Sequence, residues 1–175
     1  MRWPVPVFLA SLSLTAAAAD GTALFQVDGA WKPERWNKTE GSLTAGGEGP
    51  HAGSPVGTIQ VSYKGTGFEW YVVNPAAPLS VANAAGTVSL WVKGAAPGYP
   101  IVVKFQDVKG SKRIDDKDLE WQIHAVGGEW QQKTFAIPAE WARPISIYAI
   151  AVHNWDHQDD AAKITYQMSE LATAP

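Results

Sequence analysis

The chain has 175 residues, with 14 Lys plus Arg against 17 Asp plus Glu for a formal charge of −3, and no cysteine. This length suits one domain with a sizeable core, and an acidic balance without any basic run argues against nucleic acid or an anionic membrane surface as partner. The lack of thiols excludes disulfides, cysteine nucleophiles and thiolate zinc sites, and a charged fraction of 18% beside nine tryptophans leaves the surface to uncharged polar groups and exposed rings.

Residues 1–19 read as a secretory signal: Arg2 near the start, an apolar stretch over 5–14, and Ala17-Ala18-Ala19 before Asp20. The apolar stretch is about half the roughly 20 residues that a membrane span needs. The expectation is a cleaved leader, one domain over 20–175, and a secreted or periplasmic protein without membrane insertion.

Beyond Asp20, Gly and Pro recur too often for long helices, and short alternating or β-branched runs take their place. Strands are expected over 24–28, 58–63, 68–73, 87–93, 101–107, 119–125, 130–138, 145–153 and 163–171. The segment 44–55, rich in Gly and Ala, reads as a mobile loop or weak strand. Turn residues such as Gly65-Thr66-Gly67, Lys109-Gly110-Ser111 and Gly127-Gly128 separate the strands. Nine strands at this spacing predict an all-β, antiparallel sandwich or jelly roll.

A period of two assigns faces. Val88, Leu90 and Val92 share one side of their strand, as do Ile101, Val103 and Phe105, and Leu119, Trp121 and Ile123. With those sides in the core, the opposite sides carry Trp91, then Lys104 and Gln106, then Gln122 and His124. If the three strands lie in one sheet, its outer face mixes an indole with hydrogen-bonding groups, which suits a sugar. Trp121 and Trp130 are assigned to the core.

The run Val88-Ser89-Leu90-Trp91-Val92-Lys93-Gly94, then Ile101 to Gly110 with Asp107-Val108-Lys109-Gly110 at its end, then Glu129-Trp130 leading to Phe135-Ala136-Ile137-Pro138, resembles a galactose-binding-like jelly roll of the carbohydrate-binding-module kind. The resemblance extends to the opening Leu24 to Asp28 and the closing Ile164 to Leu171. It implies a β-sandwich that recognises a polysaccharide or oligosaccharide without cleaving it. It also implies a structural calcium ion held by an Asp of the closing strand and by the first strand. Ser169 stands where that Asp belongs, so Asp28 and Glu170 are the available carboxylates.

Three readings follow for function. In the first, Trp91 stacks on a glycan while Lys104, Gln106, Gln122 and His124 select hydroxyl orientation, and Trp155 with Asp156 lies at the rim. The second is a structural sandwich whose same face docks another protein. The third is a hydrolase or lyase using the Asp115, Asp116 and Asp118 cluster, although Arg113 and Lys117 interleave with it as in a charge-balanced turn, and no catalytic motif advertises itself. His153, Asp156 and His157 resemble a transition-metal set by residue type, but their spacing aligns ligands on a helix and here falls at a strand end, which favours a solvated hairpin.

Overall fold

The structure is a computed structural model that describes residues 31–36, 39–94, 98–124 and 126–175. The expected leader, the expected strand over 24–28 and Asp28 lie outside the described residues. Among the described residues there is no helix, and thirteen strands run in chain order. They are β1 (Trp31–Trp36), β2 (Glu40–Ala45), β3 (Val56–Lys64), β4 (Trp70–Pro75), β5 (Leu79–Ser80), β6 (Thr87–Gly94), β7 (Ile101–Gln106), β8 (Arg113–Ile114), β9 (Lys117–Asp118), β10 (Glu120–Ile123), β11 (Gln131–Ala136), β12 (Ser146–His153) and β13 (Ala161–Ala174).

Two antiparallel sheets form the sandwich. The front sheet has the order β1-β4-β12-β7-β10, with β5 also beside β12, and the back sheet has the order β11-β6-β13-β3-β2. Strands β8 and β9 make a separate hairpin, whose corner residues Asp115 and Asp116 take left-handed backbone angles of 49° and 62° in φ. The Asp cluster is thus turn chemistry, with the Arg113 guanidinium on Asp118 at 3.1 Å.

The core lies between the sheets, and the alternation read from sequence places it. Val88, Leu90 and Val92 of β6 face inward with no exposure, opposite Ile101, Val103 and Phe105 of β7. Each such side chain contributes about 1.5–3 kcal/mol by leaving water. Trp121 is also in the core, stacked at 5.8 Å on Phe135, which in turn packs on Phe105 and Trp141. Trp130 departs from expectation: it is only partly buried, and its Nε1–H donates to the Glu48 carbonyl at the sandwich margin.

Two bulges shape the outer faces. In β12 the register against β7 shifts between Ile147 and Ala149, so Tyr148 and Ala149 both join the outward cluster while Ile147 and Ile150 stay inside. In β13 it shifts at Glu170, whose φ is 41°, between Ser169 and Leu171.

Sheet membership overturns one expectation. Strand β6 pairs with β11 and β13 in the back sheet, whereas β7 and β10 belong to the front sheet. Trp91 therefore does not share a face with Lys104, Gln106, Gln122 and His124. Alternation fixes which side of its own strand a residue occupies, but the chain crosses from one sheet to the other between Gly94 and Ile101. The two outward sides end up on opposite surfaces.

Candidate functional site

The outward face of the front sheet carries a groove of about 520 Å³ lined by aromatic rings on one side and polar groups on the other. Registers across the sheet explain its contents. His153 of β12 pairs with Trp70 of β4, Ala151 pairs with both Val72 and Val102, and Glu120 of β10 pairs with Lys104 of β7. The central residues Val72, Val102, Ala149 and Ala151 are small, outward and buried in a cluster completed by Trp70 and Tyr148. Their short side chains let the flanking rings and charged groups stand above the sheet centre.

The aromatic side gathers around Phe68. Its ring lies 5.1 Å from Trp155, edge to face, 6.1 Å from Trp70 and 6.0 Å from His153. Trp155 is 60% exposed, so most of its indole is open to a partner. A flat apolar ring of this kind matches the C–H face of a pyranose, with a polar N–H at its edge.

This cluster is held by two loops that are bolted together. Period two turns Phe68 and Trp70 outward and Glu69 inward, where it is fully buried. The Glu69 carboxylate accepts the backbone N–H groups of Lys64 at 2.9 Å, Gly65 at 3.0 Å and Thr66 at 3.4 Å, which fixes the turn between β3 and β4. Gly65 has a φ of 69°, and a Cβ there would come within 2.7 Å of the Asp159 carbonyl, so only glycine permits the approach of the two loops. Asn154, also fully buried, donates through Nδ2 to the Gly67 carbonyl at 3.0 Å. The Gly67 N–H in turn donates to the Gln158 carbonyl at 3.1 Å.

The polar side is built from β7 and β10. The Lys104 ammonium is 3.3 Å from Glu120 Oε2 and 5.7 Å from the centre of the Trp70 ring. Gln122 donates through Nε2 to the other Glu120 oxygen. Asp118, His124, Pro100 and Asp156 complete the lining. His153 sits where the two sides meet. Burial pushes its imidazole below the ordinary value, Lys104 and His124 add to that, and Glu120 and Asp156 oppose it. The backbone N–H of Trp155 donates to its Nδ1 at 3.4 Å, which leaves the proton of the neutral ring on Nε2. At the far side of the outward cluster, burial aided by Asp118 and Glu120 pushes the Tyr148 phenol up to about 12, while the Lys112 ammonium lies 4.3 Å over its ring.

Of the residues singled out from sequence, Lys104, Gln122, His124 and Trp155 line this groove. Gln106 lies beyond it at the end of β7, opposite Ser146. Trp91 is on the back sheet beneath the loop 46–55, with the His51 ring edge-on at 5.2 Å. Phe68, Trp70 and His153 were not singled out as groove residues, whereas alternation put Glu120 on the outward side with Gln122 and His124 without giving it a binding role. An alternating Phe68-Glu69-Trp70 at a strand start was the available signal for the first two.

Glu170 is taken up by the same back-sheet loop. Its carboxylate meets His51 Nδ1 at 3.2 Å and the Ser54 hydroxyl, and Ser169 donates to the Pro55 carbonyl at 2.7 Å. Calcium takes six to eight oxygens, and Asp28, the other carboxylate expected for it, lies outside the described residues. Among the described residues no three His, Asp or Glu are grouped to hold a metal. His153 and His157 diverge: the first enters the groove, while the second stacks on Tyr99 at 4.8 Å and pairs with Asp160 at 3.0 Å.

No family model and no curated protein matches the chain. Solved structures do. The family 11 carbohydrate-binding module of the cellulosomal cellulase Lic26A-Cel5E of Clostridium thermocellum superposes with a TM-score of 0.54 at 14% identity, covering 90% of this chain and 97% of that one. A family 11 module from Clostridium thermocellum in complex with a β-1,3-1,4-mixed-linked tetrasaccharide gives 0.53 at 14% identity, over 90% and 96%. A structure from the carbohydrate-binding modules of the β-sandwich superfamily, described for promiscuous specificity, gives 0.58 at 11% identity over 91% of this chain and 64% of that one. At these identities the likeness is one of fold, and in fold this chain is a jelly-roll β-sandwich like those of carbohydrate-binding modules.

Proposed function

We propose that the protein is a glycan-binding module that recognises a saccharide chain in the front-sheet groove and does not cleave it. The observation that carries this reading is the pairing, across one groove, of an open indole at Trp155 with a row of hydrogen-bonding groups at Glu120, Gln122 and His124. The indole supplies a sequence-tolerant stacking surface, and the polar row selects hydroxyl orientation. The groove crosses from β4 through β12 and β7 to β10, about three interstrand spacings or roughly 14 Å, so it offers room for more than one sugar ring.

Binding without cleavage agrees with the state of Glu120. Both its oxygens are engaged, one by Lys104 and one by Gln122, which leaves it a positioned acceptor rather than a free acid or base. The leader expected over 1–19 would direct such a module out of the cytoplasm, where polysaccharides are met. Structural neighbours are carbohydrate-binding modules, which supports the saccharide class.

Affinity electrophoresis through gels containing single soluble polysaccharides tests the reading. Retardation by at least one polymer, lost in Trp155→Ala, is the expected result. Full retardation of that variant overturns the assignment of the groove, and mobility unaffected by every polymer overturns glycan binding.

A further inference from the structure

The charges around the groove define which glycans it accepts, an inference that rests on the glycan-binding reading. Among the described residues Lys104 is the only lysine or arginine lining the groove, and its ammonium is spent on Glu120 and on the face of Trp70. The Arg113 guanidinium is turned onto Asp118 and the Asp116 carbonyl. The lining holds three carboxylates, of which Glu120 is paired with Lys104 and Asp118 with Arg113, and the third is Asp156. Asp156 makes no hydrogen bond or ion pair among the described residues, and it follows directly on the exposed Trp155 in sequence.

A carboxylate or sulfate on an entering sugar would thus meet the unpaired Asp156 carboxylate and no cation free to pair with it. Its desolvation on entry would go uncompensated. An uncharged hydroxyl faces no such penalty, because it donates to a carboxylate and both donates to and accepts from an amide. We infer that the groove is selective for uncharged saccharide chains and rejects chains bearing uronate or sulfate groups, with Asp156 as the residue that enforces the rejection.

The test uses pairs of polymers that differ in charge on the same backbone: hydroxyethyl cellulose against carboxymethyl cellulose, and dextran against dextran sulfate. The full chain is measured at pH 8, where an ordinary imidazole is uncharged, and at low and high salt. The expected result is retention by a neutral member and affinity for its anionic partner weaker by roughly tenfold or more at low salt, with the gap narrowing as salt screens the rim. In Asp156→Asn the gap should shrink at low salt. Equal or tighter binding of the anionic partner by the unaltered protein overturns the inference while leaving glycan binding standing. An undiminished gap in the folded variant overturns the role of Asp156. Retention by none of the four polymers overturns the inference, and glycan binding falls with it only when every other soluble polysaccharide also leaves mobility unaffected.

Discussion

Asn154 accepts the Glu69 backbone N–H through Oδ1 at 2.8 Å, and the Asn154 N–H donates back to the Glu69 carbonyl at 3.2 Å. This reciprocal pair joins the turn that presents Phe68 and Trp70 to the loop that presents Trp155. The aromatic side of the groove is therefore one mechanical unit, although it is assembled from segments 85 positions apart.

Asn154→Ala removes three side-chain hydrogen bonds from a fully buried position and leaves the Glu69 N–H and the Gly67 carbonyl without partners. The expected cost is about 1–3 kcal/mol for the first such group left unsatisfied, seen as a lower Tm. Hydrogen exchange should quicken in both 65–69 and 153–158. Exchange that quickens in only one of the two segments would contradict the mechanical coupling.

Trp91→Ala is expected to leave glycan retention intact, because that indole is on the opposite sheet from the groove. What it removes is the edge contact with His51, worth roughly 0.5–1.5 kcal/mol, so limited proteolysis within 46–55 should accelerate. Lost retention with an unchanged proteolytic pattern would return binding to the back sheet.

His153 gives the protein a pH dependence. Its folded-state value is held below the ordinary 6.5, chiefly by burial. The unfolded chain thus takes up the proton first on acidification, and stability is full above about 6.5 and declines as pH falls from there toward the lower folded value. Protonation of the folded ring also turns Nδ1 into a donor and removes the acceptor of the Trp155 backbone N–H, so glycan retention should weaken as pH falls through the lowered folded value. His153→Gln should flatten both profiles below pH 6.5. A variant that loses stability on acidification as steeply as the parent would assign the effect to another group.

Much of this arrangement was legible in the sequence, because alternation is local. The inward sets of β6, β7 and β10 were readable residue by residue, as was the turn at Asp115 and Asp116. Strand β1 was hidden by Pro33 and by three charged residues in six positions, features tolerated on an edge strand. Strand β2 was hidden by its Gly-rich continuation. The grouping of Trp91 with Lys104 failed for a different reason: sheet membership depends on pairing between distant segments, and no local period encodes it. The groove escaped full recognition in the same way, since Trp70, His153 and Lys104 become neighbours only through the registers of β12.

Trp155 is the side chain on which the functional account turns. Isothermal titration of a retained neutral polysaccharide into the parent protein and into Trp155→Ala, with Tm measured for both, examines it most directly. The account predicts that binding falls below detection in the variant while stability changes by no more than about 1.5 kcal/mol, the worth of the edge contact with Phe68. Parental affinity in a folded Trp155→Ala would contradict it.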